Sequence, residues 1–189
     1  NDTGDNNTAV GAFALLYNTT GSGNTAIGNM ALFSNTEINN VAGNANTAVG
    51  YGALQSNTTA LGNTALGFLA LNHNTLGVGN DASGFQSLLS NTTGSQNTAH
   101  GAQALANSDN ANGNTATGYQ ALYTTTFGAY NTATGYQALL FNTANYNTAH
   151  GAQALSNNNI GSFNVASGTL ALYANTQGSH NTADGYAAL

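Results

Sequence analysis

The 189 residues include no lysine, no arginine and no cysteine, against six acids, for a formal net charge of −6. Nucleic-acid binding needs Lys and Arg to neutralise phosphates, so it is excluded, and an anionic membrane surface has nothing to attract. Disulfides and thiolate metal sites are excluded as well, and no apolar run reaches the roughly 20 residues of a membrane helix.

The opening residues show no basic cluster followed by an apolar core, so no signal peptide is expected in this stretch. Residues 1–6 read as the tail of an earlier repeat. From there a unit beginning Asn-Thr-Ala-x-Gly recurs at Asn7, Asn24, Asn46, Asn63, Asn80, Asn97, Asn114, Asn131, Asn147, Asn164 and Asn181. The steps are 17, 22, 17, 17, 17, 17, 17, 16, 17 and 17 residues. So constant a step predicts an all-β parallel solenoid, a β-roll of about eleven 17-residue coils forming one repeat region over residues 1–189. The last coil, residues 181–189, is incomplete, and neither end carries a recognisable cap.

Numbering each coil from its first Asn gives columns with separate physical meanings. Position 1 is always Asn, position 3 always Ala, position 5 always Gly and position 9 always Leu. Position 8 is Ala except at Ser87. Invariant Gly implies positive φ or a backbone contact with no room for Cβ. Invariant Ala implies a wall that one more methylene would overpack. The Asn files fit turns whose amides bond to backbone and to one another along the stack. A second Asn file, at position 12, runs through Asn18, Asn35, Asn57, Asn74, Asn91, Asn142, Asn158 and Asn175, with Ser108 and Thr125 as substitutes. Two such corners imply a flattened coil with two main walls. Stacking also accounts for the missing charge, because like charges about 4.8 Å apart repel by about 0.9 kcal/mol even in bulk water.

Positions 1–6 alternate as a strand does. The following stretch, as at Gln137, Ala138 and Leu139, fits a second strand or one helical turn; the short unit favours the strand. Position 4 drifts from Val10, Ile27, Val49 and Leu66 to Ser83, His100, Thr117, Thr134, His150, Ser167 and Asp184. An interior column would not turn polar halfway, so this one faces solvent or neighbouring chains, and the first four residues are a candidate interchain face. Gln86, Gln103, Gln120, Gln137 and Gln153 make an outer ladder. The 22-residue step places five extra residues within 37–44, read as a tolerated loop or a binding protrusion.

Two short forms carry a family resemblance. The Thr-Ala-Ile-Gly and Thr-Ala-Val-Gly cores at residues 25–28 and 47–50 resemble the head repeats of trimeric autotransporter adhesins. Asn-Thr-Ala-Thr-Gly-Tyr-Gln-Ala-Leu, starting at Asn114 and Asn131, is similar to repeats of phage tail fibres. The resemblance implies a parallel β-roll, three chains side by side, and a place outside the cell or on a virion.

Catalytic chemistry finds no seat. The acids Asp2, Asp5, Glu37, Asp81, Asp109 and Asp184 are scattered, and only the first two share a coil, where they offer oxygen ligands but no calcium loop. His100 and His150 share a column three coils apart, too far for one metal, while His73 and His180 stand alone. Catalytic, cofactor and metal residues are therefore expected to be none. Asn-x-Ser/Thr sequons fall at Asn1, Asn6, Asn18, Asn57 and Asn91. The expected function is a non-catalytic, self-assembling extracellular fibre or adhesin segment at a cell or virion surface. Its partners would be copies of itself, as a trimer or an end-to-end polymer, and a surface receptor or glycan. Two alternatives rest on outer columns. Thr files at positions 2 and 13 suit ice binding, and Tyr119, Tyr136 and Tyr186 suit carbohydrate stacking.

Overall fold

The computed structural model describes residues 2–38 and 41–189, which form a parallel β-solenoid without helix. Residues 39 and 40 of the insertion, and Asn1 with its sequon, lie outside the described residues. The strands are β1 (Thr8–Val10), β2 (Thr25–Ile27), β3 (Glu37–Ile38), β4 (Val41–Ala42), β5 (Thr47–Val49), β6 (Thr64–Leu66), β7 (Asp81–Ser83), β8 (Thr98–His100), β9 (Thr115–Thr117), β10 (Thr132–Thr134), β11 (Thr148–His150), β12 (Val165–Ser167) and β13 (Thr182–Asp184). All but β3 and β4 form one eleven-stranded parallel sheet in chain order.

The register is column on column. Ala9 pairs Ala26, Ala48 pairs Ala65 and Ala133 pairs Ala149, so the sheet absorbs the 16- and 22-residue steps without slipping. The insertion leaves as a separate antiparallel hairpin, β3 on β4, with Ile38 opposite Val41. The missing residue of the short coil comes out of the same segment. Asn142 reaches the carbonyl of Ala144 two residues on, where other coils span three. The leading tail does belong to an earlier coil, since the amides of Asp2 and Thr3 donate to Thr19 O and Gly23 N donates to Asp5 O.

The expected second strand is absent among the described residues, and so is the helical turn. Positions 6–11 form a run of turns in which positions 7 and 9 are left-handed, as at Gln137 (φ 53°) and Leu139 (φ 51°). The reason lies in the side chains. Ala138 and Leu139 are both fully buried, as are their counterparts in most coils, and a strand cannot turn two successive residues to one side. Alternating right- and left-handed residues achieves it. The amides then point alternately along the stack, Gln137 N donating to Tyr119 O in the coil before and Leu139 N to Ala154 O in the coil after. Each left-handed non-glycine residue costs about 1–2 kcal/mol locally. Burial of the leucine, worth about 1.5–3 kcal/mol, offsets it.

The interior has two parts. Ala at positions 3 and 8 and Leu at position 9 form one continuous apolar core. Beside it the two Asn files are buried together. The glycine file sits where backbone meets backbone. A Cβ on Gly101 (φ +138°) would lie 2.5 Å from Gly118 O, and the same contact recurs up the stack. Gly79 (φ +66°) has open space around it. Gly79→Ala should therefore cost only its left-handed strain, about 1–2 kcal/mol. Gly101→Ala should add about 1–3 kcal/mol of overpacking, and thermal unfolding of the two variants side by side measures the difference.

Candidate functional site

The described residues hold no group of three or more His, Cys, Asp or Glu placed to share a metal. On the sheet face Ser83 lies opposite His100 in register, with Asp81 beside the imidazole, but no hydrogen bond joins the Ser83 hydroxyl to His100 among the described residues. The other features of note are the inner files and the outer columns.

The position-1 Asn file is continuous. The Oδ1 of each Asn accepts the backbone N–H of the next, over every step from Asn7 to Asn181, at 2.9–3.0 Å. Its Nδ2 reaches across to the position-15 carbonyl of its own coil, and the position-12 Asn donates to that same oxygen. Asn63 and Asn74 thus both bond to Gly77 O, at 2.9 and 3.0 Å. The two files are therefore neighbours that brace one turn between them. They do not mark two separate corners, as expected from the spacing alone.

The position-12 file is broken at its substitutes. Thr125 keeps a bond to Gly128 O, but Ser108 is too short to span, and its Oγ and the Oδ1 of Asn91 are both buried without a partner. The sequons at Asn18, Asn57 and Asn91 lie inside this file and are closed to modification in the folded chain, whereas Asn6 is exposed.

Positions 2 and 4 point outward from the sheet on one face. Val10, Ile27 and Leu66 are 57%, 40% and 40% exposed, and Val49 is partly so. Threonines of position 2 stand beside them. The position-13 threonines differ: Thr58 and Thr75 donate their hydroxyls to the carbonyls of Thr75 and Thr92. Part of the position-13 file therefore spends its hydroxyls within the stack. Farther along the sheet face, Asp81 and His100 form a diagonal pair at 3.4 Å that column reading does not join.

Aromatic side chains stack along the axis. At position 6, Tyr51, Phe68 and Phe85 form one stack, with centroids 5.4 Å apart at each step, and Tyr119 and Tyr136 another at 5.6 Å. A second file occupies position 17, where Tyr130, Tyr146, Phe163 and His180 stack in sequence. His180 is therefore not alone, and sequence reasoning misses this file. Its signal is present in the residue preceding each position-1 Asn. The Gln ladder is formed, its amides bonded from Gln86 to Gln153 at 2.9–3.2 Å.

No protein-family model matches the chain, and neither curated proteins nor solved structures give a match.

Two substitutions test the Asn files. Ser108→Asn should close the gap to Asn91 and raise stability by about 1 kcal/mol. Asn97→Ala strands the N–H of Asn114 and removes a donor from Ala111 O, and should cost about 1–3 kcal/mol for each buried group left unpaired. Denaturant unfolding reads both signs.

Proposed function

We propose that this chain is a shaft segment of an extracellular fibre of the adhesin or tail-fibre kind, non-catalytic and assembled from copies of itself. The observation that carries the proposal is the unbroken inner file, ten successive Asn-to-Asn bonds that no insertion, deletion or substitution interrupts. Such a unit is stiff along one axis and gains length without needing a larger core. The partner is a second and third copy, packed side by side over Val10, Ile27, Val49 and Leu66. Three features support that choice: the face is apolar, it lies along the rod axis, and it repeats with the coil. A chain with no cation offers no charge to a heterologous acidic partner. The resemblance to trimeric adhesin heads points the same way.

Ice binding has one observation in its favour, the threonines of position 2 held in register beside small aliphatic residues on a single face. Asp81 and Val165 interrupt that file. Thermal hysteresis in solution separates this reading from the first.

Light scattering after gel filtration, with electron microscopy, tests the fibre. The expected particle has three times the 19.0 kDa chain mass and a rod length of about 48 Å for ten strand steps. The double variant Ile27→Asp, Leu66→Asp should release single rods with their β signal intact. A wild-type chain that stays monomeric and forms no filaments sinks the proposal.

A further inference from the structure

The position-6 ladder has a gap one coil high. Phe85 ends the lower stack and Tyr119 begins the upper one, and the coil between them carries Ala102. Inside a stack each ring covers its neighbour's face, so Tyr119 and Tyr136 do not offer a joint platform. Apart from the outer ends of the two stacks, at Tyr51 and Tyr136, the uncovered faces are those of Phe85 and Tyr119 that look toward each other across Ala102. Two strand spacings separate the walls by about 9.6 Å. A flat ring inserted midway would lie about 4.8 Å from each, within the range where stacked rings attract. The existing stacks, at 5.4 and 5.6 Å, show what the column already accepts.

The flanks of the gap are polar. On one side stands Gln103, whose amide bonds to Gln86 and Gln120 yet retains one N–H and one lone pair. On the other side the His100 imidazole leans away from the gap, its Nε2 3.4 Å from Asp81 at position 2 of the coil before. Apolar walls above and below with a hydrogen-bonding amide at the edge match a pyranose. Its axial C–H bonds meet the negative ring faces, and an equatorial hydroxyl meets the Gln103 amide. The half-exposed Asp81 and the net charge of −6 disfavour an anionic sugar.

We infer that Phe85, Ala102 and Tyr119 form a slot for one neutral pyranose ring of a glycan, with the Gln103 amide as its hydroxyl partner. The site stands independently of the fibre proposal, since a lone chain carries it complete.

Saturation-transfer NMR on the full chain tests the slot, with cellopentaose, maltopentaose and chitopentaose as neutral probes. Sialyllactose and p-cresol, which mimics a tyrosine side chain, supply the other arms. At least one neutral oligosaccharide should give saturable transfer from aromatic protons at millimolar concentration, with sialyllactose weaker. Ala102→Phe fills the gap with the ring that neighbouring coils already carry and should weaken binding at least tenfold. Tyr119→Ala removes one wall and should do the same, which guards against a folding fault in the first variant. Tyr51→Ala removes a ring at the far end of the lower stack without making a new gap between rings, and should change binding less than twofold. Four results overturn the assignment: no saturable transfer from any neutral sugar, binding that survives Ala102→Phe in a folded chain, equal loss in Tyr51→Ala and Tyr119→Ala, or saturation by p-cresol alone.

Discussion

The structure depends on one hydrogen bond, made at every step of the stack: an Asn Oδ1 accepting the backbone N–H of the next position-1 Asn. This bond fixes the azimuth at which a coil begins and its height above the one before. Along most of the rod it is buried, so no water replaces it when it is left unmade, and the penalty falls on register as much as on stability. Aspartate in this file would lack the Nδ2 that reaches the position-15 carbonyl, and Gln or Thr would misplace it. The residue type follows from needing an acceptor and a donor on one short, fixed arm. The position-12 file has a looser task, holding the far side of the same turn. Its substitutes show this: Thr125 retains the bond to Gly128 O, and Ser108 loses it without disturbing the strands on either side.

That division of labour explains where the chain tolerates changes in length. Both irregular steps fall between positions 12 and 17, the segment bridging the two Asn files outside the apolar core. A residue added within the Thr-Ala-x strand would turn the Ala wall outward, because side chains alternate. One added between the Ala of position 8 and the Leu of position 9 would break the paired inward turn. The Gly-to-Gly contact allows no adjustment there either. The bridging turn can instead lengthen into a hairpin or lose a residue, provided one carbonyl stays within reach of both amides.

How far the fold is legible in the sequence follows from which signals repeat. Strict columns give the stacking, the direction of the sheet and the exposure of position 4, because an invariant Asn, Ala or Gly at a fixed spacing has few physical causes. The second wall is where the reading fails. Taking Ala-Leu as part of a strand conflicts with period-two alternation, since the two apolar columns are adjacent. The structure resolves the conflict with left-handed leucines, φ 49–60° in all eleven coils, a conformation that propensity alone argues against. The aromatic file at position 17 is hidden for a different reason. Tyr130, Tyr146, Phe163 and His180 vary in type and occupy only four coils, so no invariance marks them. Residues 85, 102 and 119 do share position 6 in the sequence, yet only the ring stacking shows that two faces are left open across Ala102.

Inside and outside therefore obey different constraints. An interior residue must suit identical neighbours above and below, so a change in one coil is felt in both adjacent coils, and those columns hold to a single residue or, as at Ser87, Ser108 and Thr125, a small substitute. An outer residue touches its column neighbours only at an edge, and position 4 passes from valine to aspartate with the strand beneath it unaltered. Such a scaffold gives each outer side chain two coordinates, a column and a coil number. Recognition chemistry can then arise from a vacancy as readily as from a substitution. A run of rings is simply a ridge, whereas a ring, an alanine and a ring in one column make a slot whose width the hydrogen-bond ladder has already set.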